Sequence, residues 1–475
     1  LDLILPKLKE IGNKKNVKIY LVGGYIRDYL LDKPNEDIDF VVKGNVEDVA
    51  KDFAESINGK LITLGGRHKF YRVINNKRNI TVDLSQLKGE DIKEDLLNRD
   101  FTINSLAIDI DKIEKEIISK ENIIDVSNGL DDLNKGIIRY INEKIFEEDP
   151  IRMLRAVRFM SQLEFELDDT TKRLIKKNKD KIKNMPGERI THELFKLLKY
   201  RRTYYYFNYM DRTLNILEEI FPEIEPMREI GKCKYHVVDS LTHSIYTLKV
   251  AEDIIYANGY FEDHVRKAYE EHTKKIVASG HTRLDLIKLG AFFHDIGKPS
   301  AKKVDETGRI RFKGHEITGA EIVKKIAERL KLSIKERDLL YKMVAKHMLP
   351  LVLYKNNDVS GKALYGIFSE LKEDTLDILL ISLSDIIATR KLLFPEEEMG
   401  KFKVHIEYMA NNYLTRYKEI EKISNIITGK EIMQKFDLGK DVLVGDLLEE
   451  VRKAIYYGKI SANKQAALKY IEQLL

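Results

Sequence analysis

Cysteine is nearly absent: Cys233 is alone among 475 residues. A single thiol cannot close an intrachain disulfide, and there is no Cys-x-x-Cys knuckle, so a disulfide scaffold and a cysteine metal site are both excluded. Cys233 reads as a bystander. Long apolar runs are also lacking. No stretch approaches the roughly 18 uninterrupted apolar residues of a membrane-spanning helix, and Leu1 to Lys9 alternates charge with Leu and Ile instead of building an apolar signal core. A soluble, cytoplasmic protein with no membrane partner is expected. Nor does one sign of charge dominate: 82 Lys and Arg face 77 Asp and Glu, a net charge of +5. That is too small to identify a polyanion binder, so the distribution of charge has to decide. Internal repeats and low-complexity segments are missing as well.

What the chain does have is length, enough for about three domains at roughly 100 to 200 residues each. Up to about residue 135, short β-rich runs alternate with helices; Val17 to Val22, Asp37 to Val42, His68 to Ile74 and Asn79 to Leu84 read as strands bounded by Gly, Asn and Pro signals. This predicts an α+β head. From Asn142 onward the apolar spacing is helical, as in Ile151, Leu154 and Val157, and strands all but disappear. Positive charge concentrates early in that helical body: Lys172 to Arg202 holds twelve Lys and Arg against three acids. Such a run is either a solvated face or a bed for a nucleic-acid backbone. The aromatics that follow, Tyr204 to Phe207, read as core before base-stacking groups. Further transitions fall near Phe221 to Lys234 and after Pro395.

Chemistry is concentrated at two places. In the head, Leu21-Val22-Gly23-Gly24-Tyr25-Ile26-Arg27 reads as a strand breaking at two glycines into a helix. Backbone amides at such a turn can approach a phosphate closely, and Arg27 could add a charged contact. On the next strand Asp37 and Asp39 are two residues apart and so project to one face, with Ile38 turned into the sheet. Two carboxylates that close repel unless a divalent cation lies between them, and hard oxygen ligands suit Mg²⁺. That pattern serves metal-assisted phosphoryl or nucleotidyl transfer. Asp83, on a later strand, is a candidate third carboxylate.

Three more segments follow in order: Arg99-Asp100-Phe101-Thr102-Ile103-Asn104, Gly129-Leu130-Asp131-Asp132-Leu133, and Glu148-Asp149-Pro150-Ile151-Arg152 continuing through Arg155 and Arg158. With the glycine turn and the paired aspartates, they resemble the class II tRNA nucleotidyltransferase and bacterial poly(A) polymerase family over roughly residues 17 to 200. The resemblance implies a polymerase β-like nucleotidyltransferase head. In it, Asp37, Asp39 and Asp83 would be catalytic, Gly23, Gly24 and Arg27 would cradle a triphosphate, Asp100 and Asn104 would lie on the ribose side, and Arg99 would be nucleotide-binding as well. Asp149 and Arg152 would select CTP or ATP without a template, and Arg155 and Arg158 would be nucleotide-binding as well. The implied partner is a tRNA 3′ end. Glu188 to Leu194 resembles the family's last motif, which braces the neck.

Two departures stand out. Asn98 occupies a place where relatives commonly carry arginine, and only Leu84 to Asn98 separates the Asp83 strand from Arg99. Many CCA-adding relatives have a longer mobile connection there, which in the family switches the pocket from CTP to ATP. Its shortness makes addition of the two cytidines alone, with a separate A-adding enzyme completing the end, a close competitor of full CCA addition.

The second place is His294-Asp295, at the end of the strongly apolar stretch Leu284 to Phe293. Burying both without partners would be costly, and a metal would satisfy them. His243, His294, Asp295 and Asp385, with His315 and His347 between them, resemble the HD phosphohydrolase superfamily over about residues 236 to 395. Imidazole with carboxylate suits a divalent transition metal of unspecified identity. His68, His192, His264, His272, His281 and His405 read as ordinary, and His236 as at most an outer-shell residue.

The expected architecture is a nucleotidyltransferase head (1–140), an all-α neck (141–222), an HD-domain body (236–395) and a helical tail (396–475). The expected activity is 3′ extension of tRNA from CTP and ATP with release of pyrophosphate. Poly(A) synthesis, a principal phosphohydrolase activity at the HD site on nucleotides or cyclic phosphates, and non-catalytic RNA binding are the competing readings.

Overall fold

The computed structural model describes every residue except 36, 65–69, 115–116, 231–237, 258, 392–395, 422–426 and 439–441. Cys233, His236, His68 and Pro395 lie outside the described residues. The chain forms two compact units, Leu1–Met185 with Arg212–Glu219, and Pro186–Asp211 with Ile220–Leu475. Among the described residues no helix is long and apolar enough to cross a membrane.

The first unit is built on a seven-stranded mixed sheet. In chain order its elements are α1 (Leu5–Lys15), β1 (Lys18–Val22), α2 (Gly24–Leu30), β2 (Ile38–Lys43), α3 (Val46–Ser56), β3 (Lys60–Leu64), β4 (Phe70–Asn75), β5 (Ile80–Gln86), α4 (Ile92–Leu97), β6 (Leu106–Asp109), β7 (Ile124–Asp125) and α5 (Gly129–Lys135). The strand order is β3-β4-β5-β2-β1-β6-β7, with β2 and β5 parallel and the other pairs antiparallel. All four strands expected from the sequence are present. β6 escaped because its residues Leu106 to Asp109 are buried throughout, so it lacks the polar alternation of a half-exposed strand.

Alternation in the sheet explains its two faces. Ile19, Leu21, Phe40, Val42, Val82 and Leu84 point to one side, where Leu5, Leu8, Val49 and Phe53 of α1 and α3 cover them. Tyr20, Val22 and Val41 point to the other and meet Ile92 and Leu96 of α4. The helix starts are satisfied locally: the Asn45 side chain accepts from the Glu47 N–H, and Asp91 from the Glu94 N–H. Gly129 opens α5 where no side chain fits, since a Cβ there would lie 2.2 Å from the Thr102 carbonyl oxygen. The helix Ile151–Leu163 completes the part of this unit that bears on the site.

The second unit is almost wholly helical. Its short strands, Ile276–Ala278 with His281–Thr282 and Lys303–Val304 with Ile310–Arg311, form two small antiparallel pairs that the helical spacing did not announce. Helices Ser240–Tyr256, Arg283–Phe293, His315–Arg329, Ile334–Lys346 and Thr375–Lys391 form its centre. Capping sets several of their starts. Asp239 accepts from the Thr242 N–H, while Thr282 with Asp285 and Ser333 with Glu336 form reciprocal capping boxes. Of the aromatic run, Tyr206 and Phe207 are buried, as a core role requires, whereas Tyr205 is 39% exposed.

Candidate functional sites

Register builds the head site. Val22 pairs with Asp39 across β1 and β2, Asp39 with Asp83 across the parallel strands β2 and β5, and Asp83 with Arg72 across β5 and β4. In-register neighbours share a face, so one row carries two carboxylates and a guanidinium, ending beside the glycine turn. Asp37 lies just before β2, exposed, its N–H donating to Asn35 Oδ1 at 2.8 Å. Ile38 is buried in the sheet core as expected. Burial pushes the Asp39 carboxyl up to about 6; Asp83 and Asp37 add to the rise, and Arg99 and Arg155 oppose it. Asp83 is held by Arg72, whose Nε and Nη2 each donate to one carboxylate oxygen at 2.7 Å. Arg72 was not foreseen. The signal lay in the hairpin register, because pairing the β4 run with the β5 run sets it opposite Asp83.

Gly23 has φ +74°, which favours glycine, and a Cβ there would lie 3.1 Å from Arg99 Nη1 and 4.0 Å from Asp39 Oδ2. The turn therefore sits directly against the carboxylate row. Arg99 is steered over it by Asp95 of α4, whose Oδ2 accepts from Arg99 Nε at 3.2 Å and Nη2 at 3.1 Å.

Behind the turn runs a continuous polar chain. Arg27 donates to both oxygens of Asp28 at 2.7 and 2.8 Å and to Asn104 Oδ1 at 2.6 Å. Asn104 Nδ2 donates to Asp100 Oδ1 at 3.0 Å, and Asp100 Oδ2 pairs with Arg155 Nε at 2.8 Å. Burial alone would raise the Asp100 carboxyl, but Arg155, Asn104 and the Phe101 N–H outweigh it and hold it below the usual range. Phe159 is the apolar counterpart of this chain: the guanidiniums of Arg158, Arg27 and Arg155 lie 4.0, 5.1 and 5.5 Å from its ring centre.

These contacts place the residues of the expected nucleotide-binding set. Arg27 and Arg158 are buried, and both are built into the protein. Arg27 is committed to Asp28 and Asn104, and Arg158 donates to Gln162 Oε1 at 2.7 Å. Sequence spacing showed the helical arginine face but not Phe159 as its anchor. Asp100 and Asn104 are buried too, with their polar atoms turned to each other. Asp149 and Arg152 are half-buried at the start of the Ile151–Leu163 helix, where Arg152 Nη1 stands 3.9 Å from Glu148 Oε2.

The second unit gathers the six expected ligands of the HD site into two groups that share one carboxylate. His243, His294, Asp295 and Asp385 form one, and Asp295, His315 and His347 the other, each with its donor atoms within 4.8 Å of one another. His243 Nε2 is 3.0 Å from Asp385 Oδ1, His294 Nε2 is 3.2 Å from Asp295 Oδ2, and His315 Nε2 is 3.2 Å from Asp295 Oδ1. Nδ1 of His294, His315 and His347 faces the carbonyl oxygen of Ala291, Phe312 and Val344, at 2.8, 2.9 and 2.7 Å. A carbonyl only accepts, so each Nδ1 carries a proton, which leaves Nε2 as the atom that would bind a metal.

The electrostatics fit a cation. Burial alone would raise the Asp295 and Asp385 carboxyls, but His294 for Asp295 and His243 for Asp385 lead the surrounding charges that hold both well below the usual range. Burial opposes a charge on His294, yet the two aspartates raise it to about 10; burial, reinforced by His294 and His315, pushes His347 down to about 3. A proton on His294 thus occupies the electrostatic place a metal would take. Among the described residues His294 Nε2 is buried and makes no well-aligned hydrogen bond. Lys298 was not foreseen; its Nζ lies 2.5 Å from Asp295 Oδ2, one helical turn further on. His272 and His281, read as ordinary, are paired with Asp377 at 2.9 Å and Glu336 at 2.6 Å, outside either metal group.

Fold and sites together define a nucleotidyltransferase head joined to a helical body with an HD-type metal centre. Residues 19–139 match the Poly A polymerase head domain, 164–228 the probable RNA and SrmB-binding site of polymerase A, and 278–390 the HD domain. The chain belongs to the tRNA nucleotidyltransferase and poly(A) polymerase family, in its HD-containing form.

Among curated relatives, a CCA-adding enzyme of Lactobacillus helveticus is 34% identical over 41% of this chain and 48% of its own length. A CC-adding tRNA nucleotidyltransferase of Geobacter sulfurreducens is 35% identical over 38% and 40%. The chain thus spans about half or less of these relatives' length. A CC-adding tRNA nucleotidyltransferase of Synechocystis is 25% identical over 96% of this chain and 93% of that one. In fold, the chain resembles a Thermotoga maritima CCA-adding enzyme complexed with tRNA, with TM-score 0.63, 21% identity and coverage of 100% and 95%.

Proposed function

We propose that this protein extends the 3′ end of tRNA without a template, transferring CMP from CTP and releasing pyrophosphate, and that it adds the two cytidines and not the terminal adenosine. The observation that carries the reading is the Asp39–Asp83 row set against the Gly23 turn. The full-length likeness to a CC-adding enzyme supports the choice of substrate. Support for the missing adenosine step comes from the segment between β5 and Arg99. Much of it is the short helix α4, and α4 ties Arg99 down through Asp95, leaving little chain for a mobile arginine-bearing arm.

In this reading Asp37 and Asp39 would hold Mg²⁺, which the buried charge of Asp39, crowded by Asp83 and Asp37, fits. Bound there, Mg²⁺ supplies activation of the terminal ribose hydroxyl and neutralisation of triphosphate charge. Gly23 and Gly24 let the triphosphate approach the backbone, and Arg99 faces it across the turn. Asp149 accepts from the exocyclic amine of the base and Arg152 donates to its ring acceptors. Asp83, through Arg72, fixes the row; Arg27, Asn104, Asp100, Arg155 and Arg158 are positioning residues that fix the turn against the Ile151–Leu163 helix. A separate enzyme would then add the adenosine from ATP, and all of this would take place in the cytoplasm. The assignment of residues 1–140 to the head, 141–222 to base selection and RNA contact, 236–395 to the HD body and 396–475 to the tail belongs to the same proposal.

The HD centre favours a second activity, hydrolysis of a phosphoester, because Asp295 offers one oxygen to each ligand group and so could bridge two transition-metal ions. Lys298 beside it offers a cation to a substrate phosphate. The test of the principal reading is incubation of transcripts ending before CCA, after C and after CC with CTP and ATP separately, resolved to single nucleotides. Two cytidines on the first and no adenosine on the last are expected; AMP on the CC-ended transcript refutes the CC-only assignment.

A further inference from the structure

A cavity of about 440 Å³ opens where helix Gly361–Leu371 ends, walled by the π-helical turn Tyr413–Tyr417 and by helix Val442–Tyr456, with none of the metal-ligand residues in its lining. Two backbone irregularities converge on it. Lys372 adopts φ +51° and ψ −127°. Gly23 uses nearly the same conformation, φ +74° and ψ −133°, at the head's turn, but a lysine there is strained. Glycine would fit this position without strain, yet the chain keeps an ammonium at the cavity wall. The π turn, an irregularity that concentrates at functional sites, brings Tyr417 to the same space.

The lining chemistry selects a ligand class. Tyr365 and Tyr417 give an aromatic wall, with ring centres 5.8 Å apart. Glu449 accepts from Tyr365 Oη at 2.9 Å and lies 3.7 Å from Arg452 Nη1, so its charge is largely answered from within the protein. Lys372 has no ion pair among the described residues, which leaves the cavity with one net positive charge. An organic cation is therefore disfavoured. A phosphate alone would leave the tyrosines and most of the volume unused, whereas about 440 Å³ suits a molecule the size of a nucleotide.

We propose that this cavity binds one nucleotide unit, its base against Tyr365 and Tyr417, its amino edge toward Glu449 and its phosphate on Lys372 and Arg452. The same chemistry is offered by a free mononucleotide and by an unstacked nucleotide of an RNA strand. The site stands apart from the nucleotidyl-transfer reading and does not depend on it.

Photo-crosslinking of the full chain tests it in two arms, 8-azido-AMP and a CCA-less tRNA transcript carrying 4-thiouridine, with adducts mapped to peptides. An adduct on the Tyr365 or Tyr417 peptide is expected in at least one arm, and which arm identifies the source. Lys372→Gln should cut its yield about fivefold or more. Lys372→Gly separates binding from folding: it relieves the strain, so the melting temperature should rise while the adduct falls as in Lys372→Gln. Lys362→Gln, on an exposed neighbouring position, should change neither. Absence of the adduct from both arms, or an adduct that survives Lys372→Gly at full yield, overturns the proposal.

Discussion

Asp39 and Asp83 stand side by side in register on parallel strands, and only Asp83 is neutralised within the protein, by the two-pronged contact from Arg72. The row is thereby divided into one carboxylate locked in place and one, Asp39, left to bear the strain of its charge. Arg72 should accordingly matter although it touches no substrate in the proposed mechanism. Arg72→Met should lower nucleotidyl transfer by roughly 10- to 100-fold, as loss of a supporting partner typically does. The loss should be partly relieved at high Mg²⁺, since the released carboxylate adds repulsion that a cation offsets. A titration of rate against Mg²⁺ checks both.

The raised Asp39 carboxyl makes stability depend on pH in a defined direction. Its folded value, about 6, lies above the ordinary aspartate value of 3.8, so between these limits the folded state binds more protons than the unfolded one. Metal-free protein should lose stability as pH rises through that window, by up to roughly 3 kcal/mol for a shift of about two units. Asp39→Asn should remove the loss. In EDTA the variant should outlast the wild type at pH 7 and match it near pH 3, as read by denaturant titration of the full chain.

Asn104 joins Arg27 to Asp100 through one side-chain amide. Asn104→Leu keeps the volume but strands a buried guanidinium N–H of Arg27, while Asp100 Oδ1 keeps the Phe101 N–H, at a cost of about 1–3 kcal/mol. Transfer should fall with it because the glycine turn loses its brace. Thermal denaturation alongside steady-state kinetics separates the two effects: a kcat defect persisting well below the melting temperature is expected.

The shared carboxylate of the HD centre predicts metal stoichiometry. With two ligand groups meeting at Asp295, wild-type protein should bind up to two transition-metal ions, His347→Ala one, and Asp295→Ala none. Elemental analysis after dialysis measures this, and nucleotidyl transfer should be unchanged in both variants.

Much of this was legible because local rules governed it. Period-two patterning placed Asp39 opposite the buried Ile38, and the apolar stretch before His294-Asp295 announced a buried polar pair that needed compensation. What escaped was set by where side chains meet in the fold, whether near or far in sequence. Spacing does not tell that Asn104 will absorb Arg27 or that Phe159, although next to Arg158, will anchor the arginines, because a run of arginines at helical spacing looks the same whether it faces a ligand or a ring. Arg72 needed the strand register, Lys298 the folded position of Asp295, and Lys372 its backbone angles. β6 was hidden by uniform burial, which removes the alternation that marks a strand.

The central claim is that Asp39 carries nucleotidyl transfer at a site separate from the HD centre. Its most direct test is to compare wild type and Asp39→Asn on one CCA-less transcript, with radiolabelled CTP in Mg²⁺, while assaying phosphoester hydrolysis on the same preparations with transition metal. Wild type should add two cytidines, the variant should incorporate at least a thousandfold less, and hydrolysis should be equal in both. Undiminished incorporation by Asp39→Asn would contradict that claim.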